Sequence, residues 1–303
     1  MHYVVGQNIT GNIPTELASF PFLQSIALAY NEFTGTMPSI FASMRHLLNM
    51  EVHGNNLNGT FPEEYYQAFS LQNLNIGDNQ FTGTLSTEIG LLTNLKGLQT
   101  YENLFTGTFP SEISELEFLS FSRNSDNIFS GTIPAQLGEL SMMQELWMHA
   151  NQFTGTIPTD LGLMNDMMDM RLHYNKLIGT IPSEFYEFGF LFRLDLFSNH
   201  LTGSLQTEIG EFQKMEQLRV SRNELTGTIP TEIANLLKIK LAWFHSNKFV
   251  GSMPSGICLF APEPLQFLQT DCFPEGNAPN PCECCTACCN RDTEICLTID
   301  DNA

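Results

Sequence analysis

A glycine recurs every 24 residues along almost the whole chain. From the second of these glycines onward, an asparagine stands four residues before each one. A fixed period is the signature of a repeat architecture, in which each repeat stacks only on its neighbours. The period therefore predicts one elongated solenoid of about eleven coils. The glycines are Gly11, Gly35, Gly59, Gly83, Gly107, Gly131, Gly155, Gly179, Gly203, Gly227 and Gly251.

One repeat shows what each position does. In LGELSMMQELWMHANQFTGTIP, residues 137–158, the spacing predicts a short strand over 145–149 with Leu146 and Met148 pointing inward. The asparagine amide can bond the backbone of neighbouring coils, so a stacked column of asparagines satisfies groups that would otherwise be buried and unpaired. The glycine permits a tight bend, and the proline three residues later suits the first turn of a short helix.

The pattern LxxLxLxxNxLxGxIP resembles the plant-type leucine-rich repeat of extracellular receptors and polygalacturonase-inhibiting proteins. The resemblance covers Gln7 to about Pro254. It implies an α/β solenoid with the shape of a right-handed superhelix. A parallel β-sheet would form the concave face, a second short strand would lie near each TGT segment, and 3₁₀ or short helices would lie on the convex side.

One coil departs from the pattern. After Pro110 the apolar series leads to Asn124, three residues early, and 125–127 then restore the period. We therefore expect Asn124, not Asn127, in the asparagine column, with a bulge at 125–127. The predicted column is Asn31, Asn55, Asn79, Asn103, Asn124, Asn151, Asn175, Asn199, Asn223 and Asn247.

All eight cysteines follow the repeats: Cys258, Cys272, Cys282, Cys284, Cys285, Cys288, Cys289 and Cys296. An even number of clustered cysteines favours a disulfide-stapled cap, predicted over 258–303, after a solenoid over 1–257. Zinc is the alternative, disfavoured by the lack of a nearby histidine. The CxCCxxCC cluster after plant-type repeats resembles diatom and algal secreted or receptor-like leucine-rich repeat proteins.

A net charge of −20 disfavours a nucleic-acid partner, because phosphate binding needs a basic surface. No segment is apolar for long enough to span a membrane. The start of the chain lacks signal-peptide features, so we expect a mature or trimmed piece. The cysteines and the resemblance indicate an extracellular or cell-surface location, where Asn8 and Asn58 would be glycosylation acceptors.

Side chains predicted on the concave sheet change character along the chain. The first coils offer small, polar and mildly acidic residues, whereas the later ones offer arginines and aromatic rings, the residue types that contribute most binding energy at interfaces. The predicted ligand-binding residues are Arg123, Trp147, His149, Arg171, His173, Tyr174, Arg193, Asp195, Phe197, Arg219, Arg222, Trp243 and His245.

Other readings of this surface stay open. Arginine and aspartate on adjacent strands, such as Arg171 with Asp169 or Asp195, can pair laterally and only reduce like-charge repulsion. His149 and His173 occupy the same position in neighbouring coils, but no third ligand is evident, so no metal is predicted. No catalytic motif occurs and an open sheet offers no enclosed pocket, so neither an enzyme nor a cofactor is expected.

The sequence thus favours an extracellular recognition module, either a receptor ectodomain or a soluble inhibitor. Its ligand would be an acidic peptide, a protein or an anionic glycan. One alternative is a structural or adhesive component of a cell wall or matrix, with an oligomeric state that the sequence does not define. A further alternative is ice binding through the threonine ladder that the TGT segments form, for example Thr82 with Thr84.

Overall fold

The computed structural model describes residues 5–260, 264–271, 285–289 and 296–298. Two compact units make up the chain, unit 1 over Met1–Phe153 and unit 2 over Thr154–Ala303. Within each unit, every 24-residue repeat forms one coil with a short inner strand, a second strand at the flank and a 3₁₀ helix. The predicted solenoid of parallel strands and short helices is confirmed.

Unit 1 contains two parallel sheets, whose strands pair in the order of their coils. Its inner sheet consists of β2 (Ser25–Ala27), β4 (Asn49–Glu51), β6 (Asn73–Asn75), β8 (Gly97–Gln99), β10 (Phe121–Arg123) and β12 (Glu145–Trp147). Its flank sheet consists of β1 (Thr10–Asn12), β3 (Glu32–Thr36), β5 (Asn56–Thr60), β7 (Gln80–Thr84), β9 (Leu104–Thr108) and β11 (Ile128–Thr132). The 3₁₀ helices span Thr15–Ser19, Ser39–Ser43, Glu63–Gln67, Thr87–Leu91, Ser111–Glu115 and Ala135–Glu139.

Unit 2 repeats the same arrangement, and strand β13 (Gln152–Thr156) spans the boundary between the units. The inner strands are β14 (Asp169–Arg171), β16 (Arg193–Asp195), β18 (Gln217–Arg219), β19 (Leu241–Trp243), β20 (Phe267–Asp271), β21 (Ala287–Cys289) and β22 (Cys296–Thr298). The flank strands are β15 (Lys176–Gly179) and β17 (His200–Leu201). The 3₁₀ helices span Thr159–Leu163, Ser183–Glu187, Thr207–Glu211, Thr231–Asn235 and Ser255–Phe260.

The core lies between the sheets and the 3₁₀ helices. The middle residue of each inner strand from β2 to β19, such as Leu146 or Leu218, is buried. A column of stacked phenylalanines runs behind the flank sheet of unit 1, with the rings of Phe81 and Phe105 6.3 Å apart. Because the strands alternate, the neighbours of the buried residues face solvent. We call this solvent-facing side of the inner sheet the open face.

The glycine column has the backbone conformation that its residue type predicts. Gly83 has a φ of 86° and Gly107 a φ of 79°, in the left-handed region that favours glycine. Each glycine also leaves room for the coil before it: a Cβ built on Gly107 would lie 2.9 Å from the Cγ2 methyl of Thr84. Glycine is therefore required here both for the bend and for close stacking.

The asparagine column links successive coils through backbone groups. Asn55 Oδ1 accepts the N–H of Phe33 at 3.0 Å, while its Nδ2 donates to the carbonyls of Leu28 and Val52. Asn223 makes the equivalent bonds in unit 2, accepting from Leu201 and donating to Leu196 and Val220. Buried backbone groups thereby gain the partners that the sequence predicted.

The prediction for the irregular coil is wrong. Asn127, not Asn124, joins the column: its Oδ1 accepts the N–H of Phe105 at 3.0 Å, and its Nδ2 donates to the Thr100 carbonyl at 2.9 Å. Asn124 instead points inward, where other coils have an apolar side chain, and accepts the Thr100 hydroxyl at 2.9 Å. The coil keeps the 24-residue register, because two paired polar side chains replace two apolar ones.

The segment after the last repeat adds three strands to the inner sheet of unit 2. β21 pairs parallel with β20, and β22 pairs antiparallel with β21. Cys258 and Cys285 are both disulfide-bonded. The other cysteines of the predicted cap fall outside the residues whose side chains are described, so the disulfide-rich cap and its boundary at 258 stay predictions: Cys272, Cys282, Cys284, Cys288, Cys289 and Cys296.

Within the described residues, none of the helices has the length and apolar character needed to cross a lipid bilayer.

Candidate ligand-binding site

The open face of unit 2 carries alternating charges on neighbouring strands. Asp169 lies opposite Arg193 in the register of β14 and β16. In the adjacent row, Arg171 lies opposite Asp195, and Asp195 lies opposite Arg219 of β18. Opposite charges on adjacent strands attract each other, which stabilises this side of the sheet.

Two of the three arginines have close carboxylate partners. Arg171 bonds Asp169 on its own strand, with Nη2 2.6 Å from Oδ2. Arg219 bonds Asp195 on the neighbouring strand at 3.1 Å, and its Nη2 donates to Gln217 Oε1 at 3.0 Å. The pairing of arginine with aspartate that the sequence left open as an alternative is thus present for these two side chains.

Arg193 is held more loosely than its neighbours. Its Nη1 lies 3.8 Å from Asp169 Oδ2, which is beyond hydrogen-bond distance, and its buried Nε has no hydrogen-bond partner within the described structure. Burial lowers the pKa of Arg193, and the positive charges of Arg171 and Arg219 lower it further. This guanidinium therefore retains donors that an anionic group could accept from.

Asp195 is the most deeply placed charge of the site, with 1% of its surface exposed. Burial raises the pKa of its carboxyl to about 6, against the opposing effect of Arg219 and Arg193. Its Oδ1 atom is buried without a hydrogen-bond partner in the described part of the chain. The carboxylate therefore orients Arg219 from below, while the arginine side chains reach further toward solvent.

Aromatic rings border the arginines on one side. Phe197 stacks on His173 at 4.3 Å and meets Tyr174 and Trp243 edge-on, at 5.0 and 5.6 Å. The Arg219 guanidinium lies over the Trp243 ring, 4.7 Å from its centroid, in cation–π geometry. Five of the predicted residues are thus joined in one polar and aromatic cluster: His173, Tyr174, Phe197, Arg219 and Trp243.

Two other predicted residues of unit 2 are placed less favourably for contact with a ligand. His245 is only 5% exposed, and its Nδ1 lies 3.1 Å from Ser246 Oγ, so its ring forms part of the floor rather than the surface. Arg222 is half-buried at a φ of 54°, and its backbone N–H donates to the His245 carbonyl.

The three predicted residues of unit 1 form a smaller cluster of their own. Arg123 lies over the Trp147 ring at 4.3 Å and bonds Glu145 with Nε and Nη2, at 2.8 and 2.6 Å. His149 Nε2 lies 3.6 Å from Asp126 Oδ2. The Arg123 charge is therefore neutralised by the Glu145 carboxylate, whose Oε2 accepts both bonds.

Sequence reasoning assigned no site role to several residues of these clusters. Asp169, Gln217 and Glu145 each orient an arginine, and Ser221 lies buried beside Phe197 with its hydroxyl unpartnered. The 24-residue register could have identified these residues. Each lies either two residues along the chain from a predicted arginine or on the neighbouring strand.

Comparisons with known proteins agree with this architecture. The family model described as Leucine Rich Repeat matches residues 70–92 and 214–236. Among solved structures, a plant peptide hormone receptor, RGFR1 in complex with RGF2, is 32% identical with a TM-score of 0.80. The match covers 82% of this chain and 40% of that one. The protein has the plant-type leucine-rich repeat fold.

Two further solved structures share the fold. The Arabidopsis receptor kinase HAESA, in complex with the peptide hormone IDA and the co-receptor SERK1, is 28% identical over 88% of this chain and 49% of that chain, with a TM-score of 0.74. A plant ice-binding protein is 23% identical over 80% of this chain and 78% of that chain, with a TM-score of 0.69, a likeness of fold alone. The chain spans less than half the length of either receptor. No curated protein sequence matches it.

Proposed function

We propose that this protein is an extracellular binding module that recognises an acidic segment of a peptide or protein on the open face of unit 2. The observation that supports this most directly is Arg193, a half-buried guanidinium that has no carboxylate at hydrogen-bond distance among the described residues. Its Nε is buried, so a ligand carboxylate would accept from the Nη groups, which make no hydrogen bond to a carboxylate of the described residues. Charge-assisted hydrogen bonds of this kind are about twice as strong as neutral ones.

The surroundings of Arg193 suit a peptide. Arg171 and Arg219 add positive charge on both neighbouring strands, and the same face carries the ring of Trp243 against Arg219 and the half-exposed ring of Tyr174 against Phe197. Arginine and aromatic side chains in one cluster are typical of interface hot spots. RGFR1 and HAESA are themselves described as peptide-bound, which agrees with a peptide or protein partner here.

The proposal is tested with synthetic peptides and one substitution. The wild type and Arg193→Gln are each titrated by calorimetry with two peptides. One peptide is acidic, and the other is its neutral counterpart, with asparagine and glutamine in place of the acidic residues. We expect only the acidic peptide to bind, and R193Q to weaken it at least about tenfold, the effect of losing about 1.4 kcal/mol.

Arg45→Gln is the matched control, because Arg45 is exposed in unit 1 and the substitution removes the same charge. Equal weakening by R45Q would show that only overall charge matters. Equal binding of the neutral peptide would show that the site does not select acids. Either outcome contradicts the proposal.

An extracellular location fits the exposure of both acceptor asparagines, Asn8 and Asn58, and the disulfide-bonded Cys258 and Cys285. We propose that both asparagines are glycosylated and that residues 258–303 form a disulfide-rich cap over the last coil.

Ice binding is a second candidate, favoured by the flank sheet of unit 1. An in-register column of exposed threonines there has hydroxyls without a protein partner in the described structure: Thr36, Thr60, Thr84, Thr108 and Thr132. Each of the first four methyls sits against the glycine of the next coil, so the hydroxyls repeat at the strand spacing of about 4.8 Å. A thermal-hysteresis assay with Thr84→Tyr tests it: the activity must be present in the wild type and lost in the variant.

A further inference from the structure

Two tyrosines in unit 1 lie across a pair of adjacent glycines on the open face. The N–H of Gly54 donates to the carbonyl of Gly77 at 3.1 Å, so these glycines lie side by side. A Cβ built on Gly54 would lie 2.6 Å from Cδ1 of Tyr30, and one built on Gly77 would lie 2.5 Å from Cε1 of Tyr101. The two tyrosine rings therefore occupy the space that side chains at positions 54 and 77 would fill. Tyr30 comes from the coil before this pair of glycines, and Tyr101 comes from the coil after it.

The ring of His53 and the side-chain amide of Asn75 complete this aromatic cluster. The His53 ring meets the Tyr30 ring edge-on at 4.9 Å. The Tyr101 hydroxyl is hydrogen-bonded to the side chain of Asn75, whose Oδ1 also accepts the N–H of Gly77 at 3.2 Å. Asn75 is 8% exposed and thereby fixes the position of Tyr101, whereas Tyr30 is 57% exposed and presents its ring to solvent.

Carboxylates surround this aromatic cluster. Glu51 lies on β4, Asp78 follows β6 and Glu102 follows β8, and no ion pair involves any of the three within the described residues. Partial burial raises the pKa of Glu102, and the negative charges of Asp78 and Asp126 raise it further. Burial lowers the pKa of His53 despite the nearby Glu51 and Asp78, so its ring adds no compensating positive charge near neutral pH.

We propose that this cluster, comprising Tyr30, His53 and Tyr101 with Glu51, Asp78 and Glu102, binds a lysine or arginine side chain of a basic peptide segment. A cation over a tyrosine face gains about 0.5–1 kcal/mol at an exposed site, and more when it is desolvated. Among the residues that the structure describes, no cation pairs with the three carboxylates, and they repel anionic ligands. Charge complementarity therefore selects a basic occupant.

The site is separate from the one centred on Arg193, and it has the opposite charge preference. The aromatic rings also distinguish it from a merely acidic surface, because their positions depend on two glycines where other coils carry side chains such as Tyr30, Asp78 or Ala29. A bound guanidinium or ammonium would contact ring faces and carboxylates together. Such a combination discriminates a cation from a neutral hydrogen-bonding group.

The experiment compares an arginine-containing capped peptide with the same peptide bearing glutamine at each arginine, titrated at physiological salt. The wild type should bind the arginine peptide at least about tenfold more tightly than the glutamine peptide. Asp78→Asn combined with Glu102→Gln removes two charges with little change in shape, and should abolish this preference. Tyr30→Leu should weaken the arginine peptide while the midpoint temperature of unfolding stays within a few degrees of wild type, because Tyr30 is largely exposed.

A double variant of Glu112→Gln and Glu115→Gln is the matched control, because it removes the same two charges from a 3₁₀ helix of unit 1. It should leave arginine-peptide binding unchanged. The proposal is overturned if this control loses as much affinity as D78N/E102Q, which would indicate diffuse attraction. Equal binding of the glutamine peptide, or a Y30L protein that folds and binds normally, would also overturn it.

Discussion

Each column asparagine acts at the scale of one side chain by joining backbone groups of two coils. Asn127 accepts the N–H of Phe105 from the coil before it and donates to the carbonyls of Thr100 and Ser125. The side chain of Asn124 bonds only the hydroxyls of Thr100 and Ser122. Loss of an asparagine therefore has different consequences at these two positions.

Asn127→Ala should lower the free energy of unfolding by about 2–4 kcal/mol, because it leaves several buried backbone groups unpaired. Asn124→Leu combined with Thr100→Ile should cost less, because two of the three bonded polar side chains leave together and only the Ser122 hydroxyl loses its partner. Urea unfolding followed by circular dichroism measures both. A larger loss in the double variant than in N127A would contradict this assignment.

At the scale of one coil, a missing proline is compensated from the coil before it. Proline precedes most of the 3₁₀ helices, but Ser86 and Gln206 stand in its place in two coils. Their free N–H groups donate to the hydroxyls of Tyr66 and Tyr186, at 3.3 and 3.5 Å. Each tyrosine stands twenty residues earlier, so the same device occurs in both units.

This pairing predicts coupling between Tyr66 and Ser86. Tyr66→Phe should cost about 1 kcal/mol by leaving the Ser86 N–H unpaired. Ser86→Pro removes that N–H, and the φ of −69° at this position already suits proline. The loss caused by Y66F should therefore be smaller in the S86P background than in the wild type. A double-mutant cycle measures the coupling, and additive losses would contradict it.

The elements and their register could be predicted from the period, because the residue types at fixed positions determine strand, turn and helix. The irregular coil could not, because Thr100 and Asn124 pair inside a core where spacing rules expect apolar residues. The sequence offered both Asp169 and Asp195 as partners of Arg171 but could not choose between them, since Arg171 bonds along its own strand whereas Arg219 bonds across to the next one. Spacing gives the position of a side chain, and rotamers decide its partner.

At the scale of the whole molecule, a net charge of −20 opposes the compact state. The lysine pairs, Lys240 with Glu216 and Lys248 with Glu224, are partly exposed and contribute little. The arginine–aspartate pairs of the open face are more deeply buried, so salt screens them much less. Repulsion among the surplus carboxylates therefore dominates the response to salt.

Raising the salt concentration from about 10 to about 150 mM shortens the screening length from about 30 to about 8 Å. We expect the midpoint temperature of unfolding to rise by a few degrees, equivalent to about 1 kcal/mol. Differential scanning calorimetry measures the shift, with sucrose at matched osmolality as the control. A fall in the midpoint would show that ion pairs outweigh the repulsion.

The asparagine and glycine columns have a consequence for engineering. They hold the coils together through backbone groups and core methyls, whereas the open-face positions take little part in that support. A library randomised at 193 and 243, and at 171 and 219 together with their buried partners 169 and 195, should therefore yield many folded members with new specificities. Variation at the column asparagines should instead yield mostly unfolded chains.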